Sequence, residues 1–480
     1  MEKSDIGLIG LAVMGENLVL NMESKGFKVS VYNRTGDVTK KFISGRASGK
    51  QIVGYENLNE MVLSIKSPRK IMMMVRAGTV VDTVIEQLLP YMEPGDIIID
   101  GGNSHYKDSE RRESYLRSKG LLFIGSGVSG GEEGALKGPS IMPGGSEEAW
   151  PFVKPIFTSV SAIAEDGEAC CAWTGSGGAG HFVKMVHNGI EYGDMQLIAE
   201  AYSVMKNLMG MNNEEISSAF EKWNSGKLQS YLIEITAKIV NHKDIKGGYL
   251  IDNILDAAGQ KGTGKWTVES AMDHGVPLNL IATSVFERSL SALKDKRKIA
   301  SSHFLRKVQE VEKLKIDDVR DALFASKLVS YTQGFDLMKR VSEDNNWNLD
   351  LASIAKIWRN GCIIRSSFLN NIADSYLKNK SLDSLLLSEF FTNEIKSSLE
   401  GWRSVVSKAA LAGIPLPAFS NALNYFYSYT SEKLPANIIQ AQRDFFGAHT
   451  FERVDSPRGA FFHENWTGEG GETKSGVYTV

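Results

Sequence analysis

The chain contains little cysteine. Among 480 residues there are only three, Cys170, Cys171 and Cys362. They are too few and too poorly spaced for a disulfide framework or a zinc site, so the sequence predicts a reducing compartment. The sequence also lacks a signal-peptide pattern at its start and any run of about 18 apolar residues. We therefore expect a cytoplasmic location and no association with a membrane.

An excess of charge of either sign is also missing. The formal net charge is only −3, which gives no long-range attraction to nucleic acid or to anionic lipid, and we predict neither as a partner. Hydrophobic residues make up 42% of the chain and charged residues 23%, fractions typical of globular proteins, which exclude a chain dominated by disorder. The length suffices for two or three domains.

The order of apolar runs predicts the architecture. Residues 1–130 alternate helical stretches with short strand-like runs, namely DIGLIG, KVSVYN, KIMMMV, GDIIID and GLLFIG. This alternation is typical of buried parallel strands in an α/β domain. Beyond a glycine-rich cluster at 173–180, helical periodicity continues to about residue 434. We predict a Rossmann-like α/β domain at 1–177, a large all-α domain at 178–434 and a short C-terminal tail at 435–480, either disordered or docked on another surface.

The first strand leads into a glycine-rich turn with the pattern G-x-A-x-x-G. Small residues in such a turn let the backbone approach a pyrophosphate at the start of the following helix. Alone the pattern is weak, but its place in the first strand-to-helix turn of the chain strengthens it. The predicted cofactor contacts in this turn are Gly10, Ala12, Val13, Met14 and Gly15.

The second strand indicates which dinucleotide binds. It ends in Asn33, Arg34 and Thr35, where an NAD site would carry a carboxylate for the ribose hydroxyls. An arginine here suits a 2′-phosphate, so NADP is favoured over NAD, the alternative being a solvated arginine. Because the carboxyl ends of later parallel strands line the same crevice, further predicted cofactor contacts are Val75, Arg76, Ala77 and Asn103.

The segment 181–200 predicts a helix with a polar stripe. Lys184, His187, Asn188 and Glu191 stand at i, i+3, i+4 and i+7, on one face. Such a stripe is often merely solvated. Here the mixture of side-chain types, directly after a glycine-rich hinge, favours a substrate cleft, and a lysine with a glutamate suits proton chemistry in two steps. For the lysine to act as a base, burial would have to lower its pKa.

A phosphate-loop pattern occurs at 259–265. It reads G-x-x-x-x-G-K, but Trp266 stands where a nucleotide triphosphatase requires a hydroxyl for magnesium, and no apolar strand leads into Gly259. We therefore reject a nucleotidase.

Several blocks together resemble the 6-phosphogluconate dehydrogenase family. In order they are GLIGLAVMGENL, VYNRT, DGGNSHY, GSGVSGGEEGA, GHFVKMVHNGIEYGDMQ, GQKGTGKWT and AQRDFFGAHTFER, and they extend over essentially the whole chain. The resemblance implies NADP-dependent oxidation of 6-phospho-D-gluconate at C3, decarboxylation, and tautomerisation to D-ribulose 5-phosphate in the pentose phosphate pathway, without a metal. It implies that Lys184 is the general base and then a proton donor, and that Glu191 is the acid that protonates C1 of the enediol.

The resemblance also implies a substrate site shared between two subunits. The resemblance implies that His187 and Asn188 orient the substrate, and the implied contacts to its carboxylate and hydroxyls are Asn103, Ser129, Gly130 and Gly131. The implied phosphate contacts are Tyr192, Lys261, Thr263 and Arg288, together with Arg443 and His449 from the tail of the second subunit of a homodimer. One departure is Arg76, where lysine is usual in the family; the guanidinium is planar rather than a point charge, so cofactor affinity could differ.

Two other functions stay open from sequence alone. A β-hydroxyacid dehydrogenase, such as one for 3-hydroxyisobutyrate, shares the N-terminal fold and the lysine, but it is much shorter and needs no acid such as Glu191. A non-catalytic NADP-binding protein would be free to lose both Lys184 and Glu191, which are present.

Overall fold

The structure is a computed structural model that describes residues 2–304, 309–470 and 475. The chain divides into two compact units, Met1–Ala422 and Leu423–Val480. The first unit begins with an eight-stranded sheet in the order β3-β2-β1-β4-β5-β6-β7-β8. Its strands are β1 Ile6–Ile9, β2 Val29–Tyr32, β3 Ile52–Tyr55, β4 Lys70–Met73, β5 Ile97–Asp100, β6 Leu122–Ser129, β7 Ser140–Gly145 and β8 Gly175–Ser176.

Helices connect these strands and cover the sheet. They are α1 Val13–Ser24, α2 Gly36–Ser44, α3 Leu58–Leu63, α4 Thr79–Leu88, α5 Tyr106–Arg117, α6 Gly131–Lys137 and α7 Trp150–Val160. Apolar side chains of β1, β4 and β5 are buried, as uninterrupted apolar runs predict for strands covered on both faces. The predicted α/β domain of Rossmann type is confirmed.

The strand order places a crevice at the middle of the sheet. β1 pairs in parallel with β2 on one side and with β4 on the other, so the order reverses between β1 and β4. In open α/β sheets, ligands bind outside the carboxyl ends of the strands at such a switch point. The turns after β1, β2, β4 and β5 therefore open toward one crevice.

The sheet differs from the sequence prediction in three of its strands. β7 pairs antiparallel to β6, so the sheet is mixed rather than wholly parallel, and β3, β7 and β8 were not predicted. The segment of β7, SIMPGG, contains a proline and two glycines, residues that argue against a strand. Gly145 lies there at φ 133°, and a Cβ on it would approach the carbonyl oxygen of Phe123 to 2.4 Å. The glycine is thus required by the close approach of β6.

Helices make up the rest of the first unit. They are α8 Ala179–Ser203, continued by a π-helical turn at Val204–Leu208, then α9 Asn213–Asn224, α10 Tyr231–Asn241, α11 Thr263–Asp273, α12 Asn279–Ser291, α13 Lys294–His303, α14 Ile316–Asn345, α15 Leu351–Ile357, α16 Leu369–Lys378, α17 Glu389–Leu411 and the start of α18 Pro417–Tyr429. The predicted helical region is confirmed. Within the described residues, every helix is too short or too polar to cross a bilayer.

Glycines bring α8 directly against the sheet. A Cβ on Gly180 would lie 2.2 Å from the carbonyl oxygen of Gly125 and 2.6 Å from the amide nitrogen of Gly144. A Cβ on Gly127 would lie 2.3 Å from the Cβ of Lys184. Because real Cβ atoms do not pack this closely, glycine at these positions lets the helix backbone contact β6 and β7. The same contact seats Lys184 over β6.

The second unit is organised around a buried carboxylate. It contains the end of α18, helix α19 Ala436–Gly447 and a hairpin of β9 Phe451–Glu452 and β10 Phe461–Phe462. Asp444 accepts hydrogen bonds from the backbone of Thr450 and Glu464 and from the side chains of His463 and Trp466. Burial alone would raise the pKa of Asp444, but these donors hold it at about 2. The tail thus has a polar centre that its composition did not reveal.

Candidate active site

The turn after β1 has the geometry of a pyrophosphate cradle. Gly10 adopts φ 102°, and a Cβ there would meet the carbonyl oxygen of Met74 at 2.5 Å. A Cβ on Gly15 would lie 1.9 Å from the carbonyl oxygen of Gly10. Ala12 caps α1 in an extended conformation, without a side-chain hydrogen bond. Val13 is exposed and Met14 half-buried, so the first amides of α1 face an open crevice, which fits a bound diphosphate.

The end of β2 is tied to this turn. The Asn33 side chain accepts a hydrogen bond from the Leu11 amide through Oδ1 (3.1 Å) and donates to the Thr35 carbonyl (3.2 Å). Arg34 and Thr35 follow with exposed side chains. The asparagine therefore fixes the loop, and the arginine is left facing solvent at the crevice.

Two further loops follow β4 and β5 at the same edge of the sheet. Val75 and Ala77 are half-buried, whereas Arg76 and Asn103 are exposed. Gly102 and Ser104 on either side of Asn103 are both hydrogen-bonded to Asp100. The predicted contacts from these loops thus surround the crevice that the turn after β1 opens.

The polar stripe of α8 is buried at Lys184 and His187 and half-buried at Asn188 and Glu191. Lys184 is only 7% exposed and His187 is fully buried. The Lys184 Nζ donates to Asn188 Oδ1 (2.6 Å) and lies 3.3 Å from His187 Nδ1. Asn188 in turn donates to the Thr263 hydroxyl at the start of α11 (3.1 Å). The structure thus brings together the amine, imidazole and amide that the helical spacing had aligned.

Burial shifts the pKa values of this cluster in the directions that proton transfer needs. It lowers the pKa of Lys184, an effect that the nearby charge of Glu191 opposes. It raises the pKa of Glu191, opposed by the charges of Lys184 and Arg288. Burial and the Lys184 charge hold the pKa of His187 well below its ordinary value, so the imidazole is neutral. Glu191 Oε2 lies 3.9 Å from His187 Nδ1 and its side chain remains 23% exposed.

A second strand-to-helix junction borders the stripe. The Ser129 hydroxyl at the end of β6 lies 3.4 Å from His187 Nε2. Gly130 and Gly131 follow with φ 124° and 64°, and a Cβ on Gly130 would meet the Gly361 carbonyl oxygen at 2.6 Å. These glycines turn the chain sharply beside the buried imidazole.

The apparent phosphate loop serves helix packing. A Cβ on Gly264 would lie 2.6 Å from the ring of Tyr192, so this glycine lets α11 contact α8. Lys265 points outward and pairs with Glu269 (3.1 Å). Trp266 packs edge-on against His105, with ring centroids 5.1 Å apart. Gly264 and Lys265, which match the pattern, and Trp266, which departs from it, thus have structural partners.

Basic groups collect around Tyr192. The Arg288 guanidinium lies over the Tyr192 ring, 3.5 Å from its centroid, and donates to the Gly259 carbonyl (3.3 Å). Lys261 is exposed in the same loop, while Thr263 is buried at the start of α11. Tyr192, Arg288 and the loop that carries Lys261 and Thr263 therefore adjoin the lysine and glutamate of α8.

Arg443 and His449 belong to the second unit. Arg443 donates to Gln440 within α19 (3.1 Å), and His449 Nδ1 lies 2.9 Å from the Ser475 hydroxyl. His449 sits between Ala448 and Thr450, both with positive φ, so the chain makes a tight turn there.

Sequence reasoning missed several buried groups near the stripe. Lys327 on α14 donates to Asp194 on α8 (2.5 Å), and both are buried. His181 lies one turn before Lys184, hydrogen-bonded to Gly102 and near Ser109. Partners so distant along the chain leave no local sequence pattern. A charged residue within an apolar helical stretch, as Lys327 is, could nevertheless have indicated a buried ion pair. Within the described residues, no group of three or more histidine, cysteine or acidic side chains is arranged to hold a metal ion.

Comparisons with known proteins agree with this geometry. The NAD binding domain of 6-phosphogluconate dehydrogenase matches residues 5–175, and the C-terminal domain of 6-phosphogluconate dehydrogenase matches residues 180–466. A decarboxylating 6-phosphogluconate dehydrogenase from Aggregatibacter actinomycetemcomitans is 55% identical over 100% of this chain and 99% of its own. One from Dictyostelium discoideum is 56% identical, again over 100% of this chain and 99% of its own.

A solved structure has the same fold. The Plasmodium falciparum 6-phosphogluconate dehydrogenase, determined in its apo form and in complex with its cofactor NADP+ and with its substrate 6-phosphogluconate, superposes with a TM-score of 0.93 at 46% identity. The match covers 96% of this chain and 100% of that one. This chain therefore belongs to the 6-phosphogluconate dehydrogenase family.

Proposed function

We propose that the protein catalyses NADP-dependent oxidative decarboxylation of 6-phospho-D-gluconate to D-ribulose 5-phosphate and CO₂, in the oxidative pentose phosphate pathway. The observation that carries this proposal is the placement of Lys184 and Glu191 on one face of α8, the first buried and the second half-buried. Burial lowers the pKa of the first and raises the pKa of the second, so one helix carries a base and an acid. A reaction with an early deprotonation and a late carbon protonation needs that pair.

Lys184 is the proposed base and first proton donor. As a neutral amine it takes the proton of the C3 hydroxyl at Nζ while C3 is oxidised. It then returns that proton to the C3 oxygen as the C1–C2 bond breaks and C1 leaves as CO₂. Asn188 holds the Nζ at 2.6 Å, which orients the amine. When bound, NADP supplies the hydride acceptor for this chemistry.

Glu191 is the proposed acid for the last step. Its carboxyl, which burial helps to keep protonated, delivers a proton to C1 of the enediol, the carbon that was C2 of the substrate. The hydroxyl on the adjacent carbon returns its proton to Lys184 and becomes the carbonyl of ribulose 5-phosphate. The neighbouring His187 is neutral and buried, so it orients the substrate by hydrogen bonding instead of competing as an acid. Further proposed contacts to the substrate carboxylate and hydroxyls come from Asn103, Ser129, Gly130, Gly131 and Asn188.

The crevice at the sheet centre fits NADP. Gly10 and Gly15 stand where a Cβ would strike backbone carbonyls, which allows the tight turn, and the start of α1 supplies amide donors for the diphosphate. The other proposed contacts are Ala12, Val13, Met14, Asn33, Arg34, Thr35, Val75, Arg76, Ala77 and Asn103. The NADP+ complex of the Plasmodium falciparum relative supports the assignment.

Arg34 is expected to set the preference for NADP. An Arg34→Glu variant would place a carboxylate where the 2′-phosphate binds, so we expect kcat/KM for NADP to fall by about a hundredfold, as for the loss of a charge-assisted contact plus added repulsion. The rate with NAD should change little. The matched control is Lys41→Glu on α2, which makes the same charge change away from the proposed contact. Equal selectivity in wild type and Arg34→Glu would contradict the role of this arginine.

The phosphate is proposed to bind between two subunits. Tyr192, Lys261, Thr263 and Arg288 contribute from one chain, and Arg443 and His449 from the tail of the second. Large apolar side chains support a homodimer, because surfaces of this kind seldom stay exposed. In the first unit the exposed side chains include Phe286, Leu290, Leu293, Ile299 and Phe304, and in the second Ile438, Ile439, Phe445 and Phe446.

Mixed dimers test whether the site is shared. Lys184→Ala and Arg443→Ala subunits are each expected to be nearly inactive alone. Mixed together, they form hybrids in which one site combines an intact Lys184 with an intact Arg443 from the partner, so about a quarter of wild-type activity should return on random exchange. Activity that does not return, although hybrid formation is confirmed by differential tags, would show that each tail serves its own chain.

Product identity tests the proposed reaction against simple alcohol oxidation. With 6-phosphogluconate and NADP the protein is expected to form ribulose 5-phosphate, identified by chromatography against a standard. Turnover of 3-hydroxyisobutyrate with none of 6-phosphogluconate would instead assign a β-hydroxyacid dehydrogenase. NADPH binding without turnover of either would assign a non-catalytic protein.

We also propose the domain division 1–177, 178–434 and 435–480 and a cytoplasmic location. The family matches end at 175 and resume at 180, which supports the first boundary. The three cysteines are buried free thiols, which supports a reducing compartment.

A further inference from the structure

A buried arginine joins the two loops that follow β4 and β5. Arg112 on α5 is 1% exposed. Its Nη2 donates to the Gly78 carbonyl (2.9 Å), which ends the loop after β4, and its Nη1 donates to Asp100 at the end of β5 (3.3 Å). Asp82 on α4 accepts from Nε and Nη2 of the same guanidinium (2.9 and 3.1 Å). One planar group therefore fixes both loops.

Asp100 continues this connection to Asn103. Its Oδ1 accepts from the Gly102 amide (3.0 Å) and its Oδ2 from the Ser104 hydroxyl (2.6 Å). The residues on both sides of Asn103 are therefore held by one fully buried carboxylate. Asn103 itself is exposed and makes its proposed contacts from this fixed backbone.

His181 connects the same loop to α8. Its Nε2 lies 3.0 Å from the Gly102 carbonyl oxygen and its Nδ1 2.6 Å from the Ser109 hydroxyl. A carbonyl oxygen only accepts, so Nε2 carries the proton. Burial lowers the pKa of His181, so the ring is neutral and Nδ1 accepts from Ser109. The tautomer, and with it the direction of both hydrogen bonds, is thereby set.

These contacts form one buried chain from the loop after β4, through Arg112, Asp100 and Gly102, to His181, one helical turn before Lys184. We propose that His181 and Arg112 are positioning residues that set the distance between the bound nicotinamide and Lys184. The inference rests on the proposed function. Both side chains act through the loops and α8 without touching the reacting atoms. They affect the rate through geometry, because the rate of transfer between two bound groups depends steeply on the distance between them. A displacement of about 1 Å can lower the rate by about a hundredfold.

Two amide substitutions at position 181 distinguish the effect of the hydrogen bond to Gly102 from the effect of side-chain packing. The amide of glutamine reaches the place of Nε2 and can donate to Gly102, whereas the amide of asparagine reaches only the place of Nδ1 and can serve Ser109 alone. We expect His181→Asn to lower kcat by about tenfold to a hundredfold. His181→Gln should stay within about threefold of wild type, because it keeps the donor to Gly102.

The readouts distinguish positioning from structural damage. With C3-deuterated 6-phosphogluconate, the kinetic isotope effect on kcat should rise in His181→Asn, since a misplaced acceptor makes hydride transfer more rate-limiting. The Kd for NADPH, measured by fluorescence, and the Tm should change little. Ser109→Ala is a second, milder variant that removes the hydroxyl partner of Nδ1; it should raise the isotope effect in the same direction.

Each outcome has a clear meaning. Equal losses in His181→Asn and His181→Gln, or an unchanged isotope effect in both His181→Asn and Ser109→Ala, would overturn the inference while wild-type turnover left the proposed function intact. Wild-type protein that fails to oxidise 6-phosphogluconate would overturn the proposed function and the inference with it.

Discussion

Replacing Lys184 with alanine is expected to lower kcat by about a thousandfold or more, within the range for removal of a positioned general base. Lys184 is not among the proposed cofactor contacts, so the Kd for NADPH should stay within about twofold. Stopped-flow absorbance at 340 nm should show no rapid formation of NADPH in the first turnover, because the C3 hydroxyl keeps its proton.

Lys265→Ala is the matched control for this substitution. Lys265 is an exposed lysine whose ion pair with Glu269 lies on the surface of α11. Surface pairs of this kind contribute little to stability, so this variant should retain wild-type kcat. Turnover by Lys184→Ala close to that of Lys265→Ala would contradict the assignment of the base.

Replacing Glu191 with glutamine is expected to lower steady-state kcat by about a hundredfold while sparing the first oxidation. The amide keeps the shape of the carboxyl but has no proton acidic enough to be transferred to C1 of the enediol. One equivalent of NADPH per site should therefore form in a fast burst, followed by slow turnover. The matched control is Glu269→Gln, an exposed glutamate on α11 that should behave as wild type. A Glu191→Gln variant without a burst would place this residue in the oxidation step instead.

The pH dependence of turnover gives a second check on both residues. Lys184 must be neutral to accept a proton, and burial lowers its pKa, so turnover should fall as pH drops through that lowered value. Glu191 must be protonated to donate, and burial raises its pKa, so turnover should fall as pH rises through that raised value. Glutamine at 191 should remove the second dependence and leave the first.

Local patterns in the sequence predicted the elements of the fold that have a regular hydrophobic or helical periodicity. Apolar runs located β1, β2, β4, β5 and β6, and helical spacing aligned Lys184 with Glu191. The strand β7 was missed because its glycines are required by close contacts with β6 and α8, which only the folded chain creates. In the same way, the contact of Lys327 with Asp194 joins residues on separate helices, and no short window contains both.

The segment 259–266 shows how a motif can mislead. Its glycine and lysine match a phosphate loop, yet Gly264 allows the ring of Tyr192 to approach, and Lys265 pairs with Glu269 at the surface. The residues proposed to contact phosphate, Lys261 and Thr263, lie inside the supposed spacer. Spacing alone could not separate these roles, because the distinction depends on which helix α11 packs against.

One measurement tests the central claim most directly. The protein is supplied with NADP and 6-phosphogluconate labelled at C1, and released CO₂ and NADPH are measured in the same reaction. The proposed sequence of oxidation and decarboxylation predicts equal amounts of labelled CO₂ and NADPH at all times after the first turnover. NADPH that accumulates without labelled CO₂ would contradict it.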